Sequence, residues 1–426
     1  MVAPTAGHGS PRAGLVVLLL ALGPFGAGYF LSYLFRAVNA VVAPDLVRDL
    51  NLSAGDLGLL TAAYLFAFAL FQLPLGILLD RYGPRRVQAA LVFVGGLGAL
   101  MFSYGSDATT LTVARALIGL GFAGGLMAGF KAVVIWVPAE RRAFANALVM
   151  SAGAVGLIVS TSPAEAAIAQ FGWRNVFLLL AGITFLTALA ILVLVPDHGS
   201  QGVSPAALRT QVRQLGRILT DRVFLAIVPL LALTAGAQIA IQTLWAGPWL
   251  RDVAGMSRDQ VADMLALAAV AFLVGVLASG AVADWLQRRG VSLLTTMLAF
   301  LIVFFGAQIA IILELTAYNA LIWFAFGMCG QVAVLGYPWL AQHFGSELAG
   351  RSNAGVNVMM FGAAFFIQYA IGIIIDMSPQ SATGGYPPDA YRAAFGVFLL
   401  VQIIALVWYV ANLGLIRRTE QAFRRS

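Results

Sequence analysis

Charge is what this sequence has least of. Aspartate, glutamate, lysine and arginine make up 10% of its 426 residues, against roughly 25% in an ordinary soluble domain. Water is therefore not the main solvent of the chain. There is one cysteine, Cys329, so an internal disulfide is excluded. The three histidines, His8, His198 and His343, are too scattered for a metal site. No Ser/His or Cys/His constellation and no cofactor motif supports catalysis, so the chain reads as a non-enzyme that needs neither metal nor cofactor. Of the 25 lysines and arginines, one is a lysine, Lys131.

What fills the sequence instead is apolar. Hydrophobic residues account for 61%. Stretches of about 20 apolar residues span a bilayer core, and twelve are present, over 15–43, 55–79, 85–104, 109–137, 143–167, 173–195, 223–249, 260–283, 291–313, 316–341, 352–376 and 393–415. In lipid every backbone amide needs an internal partner, so these runs predict helices. They are apolar all round rather than alternating, which excludes a β-barrel. The expected fold class is an all-α polytopic membrane protein of 12 transmembrane helices. The run from Leu15 continues too far for a cleaved signal peptide and reads as the first span.

Arginine sets the orientation. Twelve spans put both termini on one side. That side holds Arg12, Arg81, Arg85, Arg86, Arg141, Arg142, Arg209, Arg213, Arg217, Arg222, Arg288, Arg289, Arg351, Arg417, Arg418, Arg424 and Arg425. The other holds Arg48, Arg174, Arg251, Arg258 and Arg392. Both termini are thus expected to be cytoplasmic, in a bacterial-type inner membrane. The net charge of +7 is a topology signal, and a nucleic-acid partner is excluded because the charges are spread over loop ends at one membrane face.

Two copies of one short pattern divide the chain. The first is Gly76-Ile-Leu-Leu-Asp80-Arg81-Tyr-Gly83-Pro-Arg85-Arg86, and the second is Gly280-Ala-Val-Ala-Asp284-Trp-Leu-Gln-Arg288-Arg289-Gly290. Asp80 and Asp284 are 204 residues apart. The reading is two six-helix pseudo-repeats, 1–196 and 223–426, joined by a cytoplasmic linker over 197–222. In the linker Leu208, Val212, Leu215 and Leu219 recur at helical spacing beside a stripe of Arg209, Arg213 and Arg217. Such a helix lies on an anionic leaflet; it is a tether between halves or a site for a regulatory partner. Because one chain already contains both halves of a pathway, a monomer is expected.

Both copies of the pattern fall between the second and third spans of a half. The fourth span adds Arg115-x-x-x-Gly119-x-Gly121 and ends in Trp136-Val-Pro138-Ala-Glu140-Arg141-Arg142. Over essentially its whole length the chain resembles the major facilitator superfamily. The resemblance implies a secondary transporter in which two rigid halves rock about a central site. It implies that Asp80 joins a charge network with arginines such as Arg85, Arg141 and Arg142, and that Asp284 has the matching place. Small residues such as Gly76 and Gly280 would let helices approach closely. Arg81, Arg85 and Arg86 alternatively only anchor topology. Arg115, a charge within a span, is linked with proton transfer in that superfamily; otherwise it is a buried tie between helices.

Span 1 carries Ser32-Tyr33-Leu-Phe35-Arg36-Ala-Val-Asn39, which resembles the Tyr-x-Asp-Arg segment of the anion:cation symporter branch. The resemblance implies that Arg36 contacts a substrate carboxylate. Tyr29, Tyr33 and Arg36 recur at i, i+4 and i+7, with Asn39 beside them, on one helix face. The branch's two proton-carrying carboxylates are replaced here by Phe35 and Phe122. Asp45, Glu165, Asp263 and Asp376 all lie near outer span ends. In span 7, Thr234, Gln238, Gln242 and Trp245 share a face, and the 204-residue offset sets Gln238 and Gln242 on either side of Arg36. Lys131 lies about 9 Å of helix from the inner end of span 4, where it either snorkels to headgroups or serves the cavity.

A positive cavity without a mid-depth acid wants an anion. The expected function is alternating-access transport of a small organic anion, most simply a carboxylate, with protons as a coupling ion by family resemblance. Anion exchange or facilitated diffusion would need no protonatable carboxylate. Drug or metabolite efflux and inorganic-anion (nitrate-type) transport are the alternatives. The fifth span, Ser151-Ala-Gly153-Ala-Val-Gly156-Leu-Ile-Val-Ser-Thr-Ser-Pro163, lacks the glycine-rich signatures of both.

Overall fold

Apolar segments with no water to satisfy their amides close their hydrogen bonds within themselves, and all the elements described are helical. The computed structural model describes residues 11–138, 141–196, 213–345, 348–381 and 384–423. The first half contains α1 (Pro11–Ala37), α2 (Asn39–Leu50), α3 (Ala54–Tyr104), α4 (Ala108–Phe122), α5 (Gly125–Trp136), α6 (Arg142–Val159), α7 (Ser162–Phe171) and α8 (Trp173–Leu194). The second contains α9 (Arg222–Ala240), α10 (Ala246–Asp252), α11 (Arg258–Gln287), α12 (Leu293–Ile312), α13 (Asn319–Gly330), α14 (Gly336–Phe344), α15 (Ala349–Asp376), α16 (Pro388–Ala411) and α17 (Leu413–Phe423).

Among the described residues, eight helices are long and apolar enough to cross a membrane, or up to ten if each of two bent pairs is one span. Two local features separate this from the twelve runs in the sequence. The 51 residues of α3 cover two of those runs, broken only at Gly83, whose φ of +76° is open to glycine. The run over 316–341 is divided by a 3₁₀ turn, Gln331–Leu335. Other runs are interrupted as well. The axis bends by 47° between Ala37 and Asn39 and by 49° between Val159 and Ser162. A π turn, Ile241–Trp245, separates α9 from α10. Breaks of this kind lie beside sites in membrane proteins because unwound backbone is tolerated only where protein or a cavity receives it.

Helix starts repeat across the halves. Ser53 and Asp56 form a capping box at the head of α3, and Ser257 and Gln260 form one at the head of α11. The serines stand 204 residues apart, the spacing of Asp80 and Asp284. The end of the bundle holding these caps is called here the distal end; the end holding Gly83, Asp80 and Asp284 is the motif end.

The halves are sewn together distally. The Arg258 guanidinium reaches Asp45 at 2.5 Å and also Glu165. Ser162 donates to Asp263 at 2.9 Å. The carboxylate of Asp376 accepts from the backbone amides of Ala54 (2.9 Å) and Gly55 (2.6 Å), the exposed donors at the start of α3. Tyr386 donates to the same carboxylate at 2.6 Å, and burial with that bond raises its phenol to about 12, keeping it a donor. Backbones touch at glycine: a Cβ on Gly372 would lie 2.5 Å from the Ala54 carbonyl oxygen, and one on Gly247 2.6 Å from that of Ala40.

At the motif end the expectation of close helix approach is corrected. A Cβ on Gly76 or on Gly280 would meet nothing within 4 Å. Open space surrounds both in this conformation, so these glycines admit no neighbouring helix. Tight packing inside each half falls to other glycines, such as Gly156 against the Phe30 carbonyl and Gly275 against that of Met328.

Of the linker, 197–212 lies outside the described residues, including Leu208, Arg209 and Val212. Residues 213–219 are helical, with Arg213 and Arg217 exposed, Ile218 buried and Leu219 lying beside Gly355 of α15. A helix that the hydropathy pattern does not announce, α17, follows the last apolar run, and its Glu420 accepts from the Trp339 indole at 3.0 Å.

Gly275→Val forces a side chain into the Met328 carbonyl, 2.0 Å from the Cβ position. It is expected to destabilise the purified protein by about 1–3 kcal/mol, read as a lower Tm in detergent. Gly76→Ala, with open space around it, is expected to leave Tm unchanged.

Candidate functional site

Arg36 sits one residue from the end of α1, just before the bend that re-aims the chain. Its side chain is buried, with 7% of the residue exposed. The guanidinium lies 4.6 Å from the centroid of Tyr33, 5.0 Å from Phe68, 5.0 Å from Phe361 and 5.9 Å from Tyr64. Phe361 belongs to α15, so the cage is built from both halves. The Phe68 and Phe361 rings are 4.4 Å apart. Such faces return about 0.5–2 kcal/mol each to a cation, but they carry no negative charge, and the Nε–H of Arg36 has no hydrogen-bond partner.

The other span 1 residues behave differently from one another. Tyr29 and Tyr33 pack edge-to-face at 5.1 Å. Tyr64 donates to the Ser32 carbonyl at 3.0 Å, fixing α3 against α1. Asn39, beyond the bend, donates to Thr61 at 2.8 Å within the same half.

From the second half come Gln238 and Gln242, on either side of the junction between α9 and the π turn. Gln238 donates to Gln242 and accepts from Gln331 at 2.6 Å. The Gln242 amide nitrogen keeps an unused donor. Gln242 and Ala37 line one small cavity with Thr161 and Leu265. A larger one, about 230 Å³, lies against Ala40, Val41 and Gly247 and is bounded by Glu165, Arg251 and Arg258. The two cavities share Ala40 and Val41 of α2 in their walls. Trp245 stands apart: its indole donates to the Gln368 carbonyl at 3.0 Å, tying the π turn to α15.

Arg115 is fully buried on α4. It donates to the Phe35 carbonyl at 2.6 Å and lies 5.1 Å from the Tyr64 centroid, while its Nε and Nη2 have no partner. It joins α4 to α1 from behind the site. Phe35 and Phe122 are fully buried and pack on each other at 5.3 Å.

Lys131 does not join the Arg36 group. Its ammonium reaches Asp80 at 2.5 Å and the Leu79 carbonyl at 2.8 Å. This corrects the expected partner of Asp80. Arg85 instead donates to the Leu192 carbonyl, and Arg142 to those of Val134 and Val137. Lys131 lies on α5, beyond the break that ends α4, and faces Leu79 and Asp80 of α3 beside Gly83. Arg81 stacks on Tyr82 at 5.2 Å; Arg86, Arg141 and Asp284 are exposed.

Sequence reasoning missed Phe68, Phe361 and Tyr64, because aromatic residues are common throughout these spans and carry no periodic signal. It also passed over Arg258. The four acids it set aside at span ends, Asp45, Glu165, Asp263 and Asp376, each take a partner across the halves.

Comparison with known proteins accords with this arrangement. The family model described as Major Facilitator Superfamily matches residues 25–373. The chain is similar to the probable sulfoacetate transporter SauU of Cupriavidus necator, 24% identical over 80% of this chain and 84% of that one. It is similar to the probable galactarate/D-glucarate transporter GudP of Escherichia coli, 23% identical over 96% of this chain and 95% of the relative. Its fold is like that of a bacterial homologue of the human lysosomal transporter Spinster in an inward-facing, unoccupied conformation, with a TM-score of 0.69, 17% identity and coverage of 97% and 99%.

Arg258→Ala removes the shared partner of Asp45 and Glu165 and is expected to loosen the distal seam. With Cys329→Ser as background, Ala262→Cys in the distal cavity would be labelled by a membrane-impermeant maleimide about ten times faster in the Arg258→Ala variant. The figure corresponds to roughly 1–2 kcal/mol for a half-exposed ion triad. An unchanged labelling rate means that the triad does not hold the seam.

Proposed function

Because the chain belongs to the Major Facilitator Superfamily, we propose that it moves a small organic anion, most simply a carboxylate, by alternating access about Arg36. It is a transporter rather than an enzyme, integral to the bacterial inner membrane. The observation that carries the proposal is the buried Arg36 guanidinium, caged by rings of both halves with its Nε–H unmet. A cation at membrane depth without a counter-charge is costly, and an anionic substrate supplies both the charge and the acceptor. The relatives' names, sulfoacetate and galactarate/D-glucarate transporters, support the same class of cargo.

In this reading the chain is twelve spans in two six-helix repeats, 1–196 and 223–426, with both termini cytoplasmic. The paired capping boxes at the 204-residue offset support the repeat. So does the interruption at Val38, which the same offset carries to the π turn containing Gln242. The motif end is then cytoplasmic, and a seam closed distally corresponds to an inward-facing carrier. Tyr29, Tyr33, Gln238 and Gln242 would orient the substrate's polar groups around Arg36. Asn39 and Trp245 would hold the shape of the site through their bonds to Thr61 and Gln368. Lys131, Asp80 and the neighbouring arginines would serve the gate at the motif end.

Purified protein is expected to gain thermal stability from carboxylate or sulfonate anions such as sulfoacetate and D-glucarate. Arg36→Ala should weaken that binding about 30-fold or more, the consequence of removing one partner of a charge-assisted contact. Arg36→Lys, a point charge without the bidentate fork, should fall between. Stabilisation by lipophilic cations and by no anion would overturn the assignment.

A further inference from the structure

Arg36 meets no carboxylate. The ion pairs among the described residues join Arg48, Lys131, Arg251, Arg258, His343 and Arg392 to acids at helix ends and loops, and involve neither Arg36 nor Arg115. The groups facing the guanidinium are Tyr33, Tyr64, Phe68 and Phe361. The preceding residue, Phe35, is turned into the core of its own half against Phe122 and Phe177, at 5.3 and 6.1 Å. A second guanidinium, that of Arg115, lies on the same Tyr64 ring, and it too leaves donors unmet. The unloaded centre therefore holds two buried positive charges around one tyrosine, and no acid that a proton could occupy or vacate.

That charge balance decides which states can interconvert. When the halves rock, the centre passes through a closed form in which water has left. With an anion on Arg36 the closed form contains a satisfied pair. Without one it contains a desolvated cation that has no counter-charge and whose Nε–H is unmet, and desolvating an unpaired charge is far more costly than desolvating a pair. A protonatable carboxylate beside the arginine would relieve this by taking the anion's place in the empty carrier; none stands there.

Resting on the anion reading above, we propose that this carrier is an anion exchanger that carries no proton. The loaded form reorients in both directions, the empty form does not, and net flux in one direction is matched by return of a second anion on the same arginine.

The experiment uses proteoliposomes and labelled sulfoacetate or D-glucarate, whichever stabilises the purified protein more. Uptake into vesicles preloaded with the unlabelled anion should exceed uptake into empty vesicles about a hundredfold, the factor expected for leaving a buried charge unpaired. It should be indifferent to an imposed pH gradient and to a protonophore. Uptake into empty vesicles that is driven by an inward proton gradient, or that matches the rate into loaded ones, overturns exchange while leaving the anion site intact. Failure of both anions to bind overturns the anion reading itself, and exchange with it. Phe361→Glu provides a second reading on the same mechanism. A carboxylate set against Arg36 in place of the ring should weaken anion binding and release uptake into empty vesicles. Unaltered dependence on preloading in a variant that folds and still binds anion would mean that the unpaired charge is not what stops the empty carrier.

Discussion

A guanidinium taken out of water needs a compensating charge, and the interior of this protein gives Arg36 aromatic side chains and no carboxylate. Everything near it follows from that. The side chains of Tyr33, Tyr64, Phe68 and Phe361 hold the cation without a counter-charge and leave its Nε–H unmet. Because Phe361 comes from the opposite half, the same cation sits where the two halves of the molecule meet. In the proposed carrier a substrate that neutralises it would also alter the contact between the halves, so that binding and conformational change share one group.

The acids of the chain are arranged to leave that centre alone. Asp45 and Glu165 converge on Arg258, Asp376 caps the start of α3, and Asp80 takes Lys131. All of these lie toward an end of the bundle, where partial solvation lowers the cost of charge and where closure of the halves is decided. The two ends differ in kind. The distal seam is made by glycine backbones in contact and by bonds crossing from one half to the other. At the motif end Lys131 pairs with Asp80 inside the first half and His343 with Asp221 inside the second, with Gly76 and Gly280 facing open space. A closed seam at one end with unengaged glycines at the other is what the proposed alternating-access carrier would show when open at the motif end.

Much of this was legible in the residues. The apolar runs follow from bilayer thickness, and the doubled Gly-x-x-x-Asp pattern gave an offset that the capping serines Ser53 and Ser257 share. The face carrying Tyr29, Tyr33 and Arg36 was readable from helical periodicity, and so was that of Gln238 and Gln242. Other features were not. Periodicity assumes a regular helix, so it could not place the bend at Val38 or the π turn at Ile241–Trp245. It also assigned Trp245 to the same free face as the glutamines, whereas the altered turn sends its indole to Gln368. The family resemblance implied arginines such as Arg85, Arg141 and Arg142 for Asp80, but α5 delivers Lys131.

Taken by itself, the sequence determined the solvent, the helical class and the presence of a charge within an apolar run. These depend on composition and on distances along one helix, where geometry is fixed by backbone hydrogen bonding. Which groups face that charge was decided only by the tertiary structure. Tyr64 and Phe68 reach Arg36 from α3 and Phe361 from α15, and Arg258 finds its two acids more than ninety positions away, as the numbering of Asp45 and Glu165 makes plain. Such meetings depend on how helices cross and bend, and a side chain's neighbours across a packed interface leave no period in the chain that carries it.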